Sequence, residues 1–191
     1  MRVEKTALDG LLLIEPQRFG DERGFFLESF HQTRYREAGI SDQFVQDNHS
    51  RSRQGILRGL HFTVKRPQAQ IVTVMRGRIF DVAVDLRHGS PTFGRWFGAQ
   101  LSEDGPRQLY MAAGFAHGFC VLSEMADLHY KVSQYYDPAD EGGLAWNDAD
   151  VGINWPVSAP LVSGRDAAYP TLRKLDSGGL PHMQSSGPAP V

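Results

Sequence analysis

Between residues 72 and 86 the chain alternates apolar and polar side chains with a period of two. Val72 and Val74 flank Thr73, Arg76-Gly77 interrupts, and Phe80, Val82, Val84 and Leu86 then alternate with Asp81, Ala83 and Asp85. That repeat belongs to a pleated strand, because apolar positions on a helix recur every three to four residues. The stretch predicts two strands joined as a hairpin at Arg76-Gly77. Further strand-like runs cover Leu11 to Glu15, Gly24 to Phe30, Gly94 to Leu101, Gln108 to Met111, Ala116 to Leu122 and Asp127 to Tyr135. Clusters of Gly, Pro, Ser and Asp separate them at the spacing of a sandwich or barrel. Only His31 to Ala38, closed by Gly39, reads as a helix, with a turn after Asp166. The expected fold class is all-β.

A chain of 191 residues, 41% of them hydrophobic, supports one core rather than two. We place a single domain at residues 1–175 and a flexible tail at 176–191, where Gly, Pro and Ser predominate. The formal net charge of -2 provides no overall field toward nucleic acid or an anionic membrane, so an anionic ligand must meet local cations. Cys120 is the single cysteine, which excludes an internal disulfide and suits a reducing compartment; its apolar neighbours predict a small buried side chain. No apolar stretch approaches the roughly 18 residues that span a bilayer, and residues 1–5 carry no secretory core. A soluble, cytoplasmic protein is expected.

Chemistry concentrates in Asp47-Asn48-His49-Ser50, Leu57-Arg58-Gly59-Leu60-His61 and Gly114-Phe115-Ala116-His117-Gly118. Gln46, Asn48, Arg58 and the histidines lie beside apolar strands, where buried polar groups require partners. A ligand would supply them; satisfied structural or surface histidines are the alternative. A cupin-type metal site would begin at Gly55 and His61, but Thr63 stands where a second histidine is needed, and Ala112 and Val121 break the second half of that pattern. One or two imidazoles without further ligands hold a transition metal poorly, so no metal or other cofactor is expected. Arg23 and Arg58 suit a diphosphate through planar, permanently charged donors, with ion pairing to Glu22 or Glu28 as the alternative.

Taken together, Phe19 to Phe30, Phe44 to Ser50, Leu57 to His61, Phe80 to Arg87, Gly114 to Phe119, Tyr130-Lys131, Tyr135-Tyr136 and Leu161 to Asp166 resemble the dTDP-4-dehydrorhamnose 3,5-epimerase family, in order, over roughly residues 1–174. The resemblance implies a jelly-roll cupin barrel with a few short helices, acting as a homodimer. It implies cofactor-independent epimerisation at C3, C5 or both of a nucleoside-diphosphate 4-keto-6-deoxyhexose, with dTDP-4-dehydro-6-deoxy-D-glucose the first candidate, in deoxysugar and polysaccharide biosynthesis. His61 is then the base and Asp166 its hydrogen-bonded partner, a pairing suited to a carbon acid because the carboxylate fixes the tautomer and stabilises the imidazolium. Tyr130 becomes the acid on the opposite face of the sugar. Phe19 falls against the nucleobase, Glu28, Gln46 and Asn48 near base or sugar, and Arg23, Arg58 and His117 around diphosphate and hexose. Glu141 and Arg165 take further ligand positions, with Arg165 where the family usually has lysine.

One departure bears on catalysis. Where the family usually reads Gln-Gly-Lys-Leu-Val, with the lysine stabilising the enolate oxygen, this chain reads Gln68-Ala69-Gln70-Ile71-Val72. Loss of one good oxyanion donor costs on the order of 100 to 1,000-fold, and an uncharged amide makes roughly half as strong a contact. Lys65, on the same loop, is not counted among the site residues. Phe62, Thr63 and Thr73 also differ from the common family residues, which points to altered sugar specificity. Epimerisation, single-carbon epimerisation of a different nucleotide sugar, and binding without turnover are all compatible with these residues.

Overall fold

The computed structural model describes residues 1–175 together with Leu180 and Pro181. The chain opens with β1 (Arg2–Lys5) and β2 (Leu11–Glu15), then the hairpin of β3 (Arg18–Asp21) and β4 (Gly24–Leu27). Helix α1 (Gln32–Glu37) follows, with the His31 side chain accepting from the Arg34 amide at its start. The barrel is then built from β5 (Gln46–Arg53), β6 (Leu57–Thr63), β7 (Gln70–Arg76), β8 (Arg78–Asp85), β9 (Trp96–Ser102), β10 (Gln108–Met111), β11 (Phe115–Val121) and β12 (Met125–Val132). Short β13 (Glu141–Gly143), α2 (Gly164–Ala167) and a 3-10 turn at Leu172–Lys174 close the described chain.

One sheet runs β1-β2-β10-β7-β12-β5 and faces a second, β13-β6-β11-β8-β9. The strands pair antiparallel throughout, as in a jelly roll. The all-β expectation holds. The expected hairpin at Arg76-Gly77 does not: β7 pairs with β10 and β12, whereas β8 pairs with β9 and β11. A period of two establishes that both segments are strands but is silent on their partners. Gly77 instead turns the chain from one sheet to the other. Its φ is +79°, and a Cβ there would lie 2.1 Å from the Met125 carbonyl oxygen, so only glycine fits the corner.

Three apolar clusters hold the layers together. Leu11, Val72, Ile79, Leu109, Phe119 and Leu128 belong to the cluster between the sheets. Leu60, Val82, Val84, Leu86 and Leu144 pack on the outer face of the second sheet, under the C-terminal segment. Ile14, Tyr35, Ile40, Ile71 and Tyr110 fill the space beneath α1. In β8 both faces are therefore buried, and Asp81 and Asp85, the polar half of its alternation, are 0% exposed. Asp85 accepts from the Arg87 guanidinium at 2.7 and 2.9 Å and from the Ser90 and Thr92 hydroxyls, both at 2.6 Å, which satisfies a charge that burial alone would expel. Cys120 is buried as expected, and burial pushes its thiol pKa up.

Of the expected flexible tail, only Leu180 and Pro181 fall within the described residues, and these two are packed. Leu180 is 7% exposed in the second cluster, and the Pro181 carbonyl accepts from the His88 amide at 2.8 Å. Composition signalled the surrounding Gly, Ser and Pro but not this apolar anchor.

Replacing Gly77 by alanine forces the chain out of its corner against backbone atoms. We expect a loss of about 3 kcal/mol or more, a fall of roughly 6 to 12 °C in Tm by calorimetry. An unchanged Tm would show that the corner tolerates a side chain.

Candidate active site

A cavity of about 390 Å³ opens between the sheets, a volume suited to a small molecule. Its walls come from both layers: Gln46 and Asn48 on β5, Gln70 on β7 and Tyr130 on β12 on one side; Arg58 and His61 on β6, His117 on β11 and Glu141 on β13 on the other, with Arg165 at the edge. His61 and His117 are a cross-strand pair, which sets two imidazoles side by side on the same face. Nine of the expected site residues thus meet in one cavity.

Asp166 lies just behind it. Its Oδ1 is 2.9 Å from His61 Nε2, and its Oδ2 accepts from the Gly59 amide at 3.1 Å. Ser163 caps α2, accepting from the Asp166 amide at 3.0 Å, and so presents the carboxylate to β6. The segment is itself fastened by Leu161, whose amide donates to the Gly55 carbonyl at 2.8 Å and whose carbonyl accepts from the Leu57 amide at 3.0 Å. Burial raises the Asp166 pKa, but the hydrogen bonds from His61 and Gly59 and the imidazole charge outweigh it and bring the carboxyl below its ordinary 3.8.

The far side of His61 is also acidic. Glu141 Oε1 lies 3.9 Å from His61 Nδ1, while its Oε2 accepts from Arg165 Nη1 at 2.7 Å and from the Tyr136 hydroxyl at 3.1 Å. Tyr136 also lines the cavity, and its amide donates to Gln46 Oε1 at 3.0 Å. On the opposite wall, burial pushes the Tyr130 phenol up, partly offset by the Arg58 charge, so the group stays protonated. Arg58 is held by the Ser52 hydroxyl at 2.9 Å. His117 Nε2 is 2.7 Å from Asp81, so the second imidazole too is backed by a buried carboxylate.

Two residues that sequence reasoning missed matter here. Tyr136 was visible only as half of a tyrosine pair, and Asp81 looked like an ordinary member of an alternating strand. Both fall in segments that carry the family resemblance, but no role was attached to either.

The remaining expected residues lie elsewhere. Phe19, Arg23 and Glu28 sit on or beside the β3–β4 hairpin, away from the cavity of their own chain. Arg23 pairs with Asp21 rather than with Glu22 or Glu28, and Glu28 pairs with Arg34. Lys65 is exposed and absent from the cavity wall: Asp140 accepts from the backbone amides of Val64, Lys65 and Arg66 at 3.2, 2.6 and 2.9 Å and holds the loop in a turn. Among the described residues no lysine lines the cavity, and the Gln70 amide lies 3.5 Å from Gln68 Oε1. Among the described residues no three His, Cys, Asp or Glu side chains are grouped to hold a metal ion, and no helix is long and apolar enough to cross a membrane.

A protonated tyrosine facing a carboxylate-backed histidine across a sugar-sized cavity suits acid–base chemistry, and the jelly roll around them is that of the cupin enzymes. The dTDP-4-dehydrorhamnose 3,5-epimerase family pattern matches residues 5–174. The enzyme of that name from Salmonella typhimurium is 51% identical over 175 residues, covering 90% of this chain and 96% of that one. A dTDP-4-dehydrorhamnose 3-epimerase of Streptomyces niveus is 42% identical over 182 residues, covering 94% and 88%. Among solved structures, the dTDP-6-deoxy-D-glucose-3,5-epimerase of Legionella pneumophila, in complex with dTDP-4-keto-L-rhamnose, superposes with a TM-score of 0.94 at 48% identity, covering 96% of this chain and 99% of that one. The chain belongs to the dTDP-4-dehydrorhamnose 3,5-epimerase family and is an isomerase, a carbohydrate epimerase of deoxysugar biosynthesis.

The lowered carboxyls of Asp166 and Asp140 have a consequence for folding. Burial raises Asp140, but the three amides more than compensate. A carboxyl whose folded pKa lies below its unfolded value adds stability above that unfolded value, and the contribution is lost as pH falls through the folded one. Unfolding free energy from urea titrations should accordingly fall below about pH 4. Asp140→Asn should be less stable at neutral pH and should decline less steeply in acid; an unchanged acid slope would contradict the assignment.

Proposed function

We propose that this chain inverts C3 and C5 of dTDP-4-keto-6-deoxyglucose, with His61 removing each proton and Tyr130 returning one to the other face. The observation that carries this reading is the His61–Asp166 contact at 2.9 Å, on the wall opposite the half-buried Tyr130. Because Nε2 is engaged by Asp166, the lone pair falls on Nδ1, as assigned from the hydrogen-bond network. Removal of a proton next to the ketone sends the electron pair to O4. Delivery of the Tyr130 proton from the opposite face completes the inversion, and solvent restores both groups. Glu141 and Asp166 on either side of the imidazole favour its charged form during the step. Gln70, on β7, supplies the uncharged amide donor to O4; His117 and Arg58 meet the diphosphate, Gln46 and Asn48 the base or sugar, and Arg165 a further anionic group. Turnover at both carbons is favoured over one because the 3,5-epimerases of Salmonella and Legionella are more similar to this chain than the 3-epimerase is.

The working unit is a homodimer. Phe19, Phe25 and Phe26 are 54, 58 and 68% exposed on an isolated two-stranded hairpin, a surface that a second copy would cover. Phe19, Arg23 and Glu28 then serve the cavity of that second copy, which accounts for their distance from their own. A cytoplasmic setting fits the single buried thiol.

The first test is conversion of dTDP-4-keto-6-deoxyglucose, with product configuration read from proton couplings. The wild type should give the doubly inverted L-sugar, and His61→Ala should lower kcat by about 1,000-fold; a fully active His61→Ala would overturn the reading. Gln70→Lys should raise kcat and Gln70→Ala lower it, the order expected of an oxyanion donor. Phe26→Asp should sediment as a monomer at micromolar concentration and bind dTDP more weakly, whereas an intact dimer would argue against the hairpin as the interface.

A further inference from the structure

His61 and Gly143 are cross-strand partners on β6 and β13, so their side-chain positions share a face of the sheet. Gly143 contributes nothing to that face, yet the space is filled. A Cβ at position 143 would stand 2.3 Å from three ring carbons of Tyr169, whose ring therefore lies against the glycine backbone in the slot beside His61. The two rings meet edge to face, with centroids 5.7 Å apart and planes at 79°. Tyr169 follows Asp166 by three residues, just past α2, and the next residue is anchored: the Pro170 carbonyl accepts from the Ala145 amide at 2.9 Å. One short segment therefore grips the imidazole twice. The carboxylate holds Nε2 at 2.9 Å, and the tyrosine ring packs at a steep angle against the imidazole itself.

We infer that Tyr169, seated on Gly143, is a positioning residue that fixes the plane of the His61 imidazole and so aims Nδ1 at the sugar carbon. The inference rests on the reading of His61 as the base. Burial holds the Tyr169 phenol in its neutral form, and the ring, rather than the hydroxyl, makes the contact. Small misplacements of a reacting group can cost on the order of 100-fold in rate, because the reacting atoms must approach in line.

The test is steady-state epimerisation by the full chain, with kcat and KM determined separately alongside the Tm of each variant. Tyr169→Ala should lower kcat about 10 to 100-fold while KM changes less than about threefold, and Tyr169→Phe should restore kcat to within about threefold of the wild type. Gly143→Ala, which pushes the ring out of its slot, should reproduce the Tyr169→Ala effect; if Tyr169→Ala does not fold, Tyr169→Leu takes its place, filling the volume without a planar ring. Broadening or displacement of the His61 ring resonances in Tyr169→Ala, reversed in Tyr169→Phe, would show the imidazole itself to be affected. A wild-type kcat in Tyr169→Ala, or an equal loss in Tyr169→Phe, overturns the inference and leaves the base intact. Activity retained in His61→Ala instead removes the base, whatever Tyr169 does.

Discussion

The contact between His61 and Asp166 joins the two ends of the structure on which everything else depends. The histidine is on a barrel strand and the aspartate more than a hundred residues later, on a short helical segment that has no apolar face of its own. Burial raises the carboxyl's pKa, and the imidazole, the Gly59 amide and Ser163 outweigh that desolvation and hold it below its ordinary value. Opening that contact would leave a charge in a dry environment, so docking of the C-terminal segment onto β6 and the pairing of His61 go together. The same logic recurs at Asp85 with Arg87, and at Asp140 with three backbone amides. Each is a buried or nearly buried carboxylate that fixes a loop near the cavity.

Two sheets then divide the chemistry. The second sheet carries both histidines, each backed by a carboxylate, whereas the first carries the tyrosine, the amides and Gln70. Inversion at carbon needs groups on opposite faces of a ring, and a jelly roll supplies them by facing its two sheets across the ligand. The cavity wall of the first sheet is mostly uncharged, so under the proposed mechanism the charge that develops on O4 is met by an amide dipole of Gln70 rather than by a lysine.

Much of this is legible in the amino-acid sequence alone. The bounds of β2 and β10 match their apolar runs, α1 lies within the expected helix, and motif resemblance identified nine residues that do line one cavity. Strand β5 was not legible as a strand, because Gln46, Asn48 and Ser50 face the cavity and Asp47, His49 and Arg51 alternate with them, leaving no hydrophobic contrast. The hairpin at Gly77 failed because periodicity carries no information about pairing. That Lys65 stays out of the cavity depends on Asp140, seventy-five residues away, which holds its loop. Phe19, Arg23 and Glu28 could be assigned to a ligand by resemblance but not to a place, since one chain alone does not bring them to its cavity.

The most direct measurement is solvent exchange, because it follows the carbon-bound protons themselves. In deuterium oxide, proton spectra of dTDP-4-keto-6-deoxyglucose should lose both the C3 and the C5 signals in the presence of the protein, and neither with Asp166→Ala, in which the imidazole loses its anchor. Persistence of both signals with the folded wild-type protein would contradict the account.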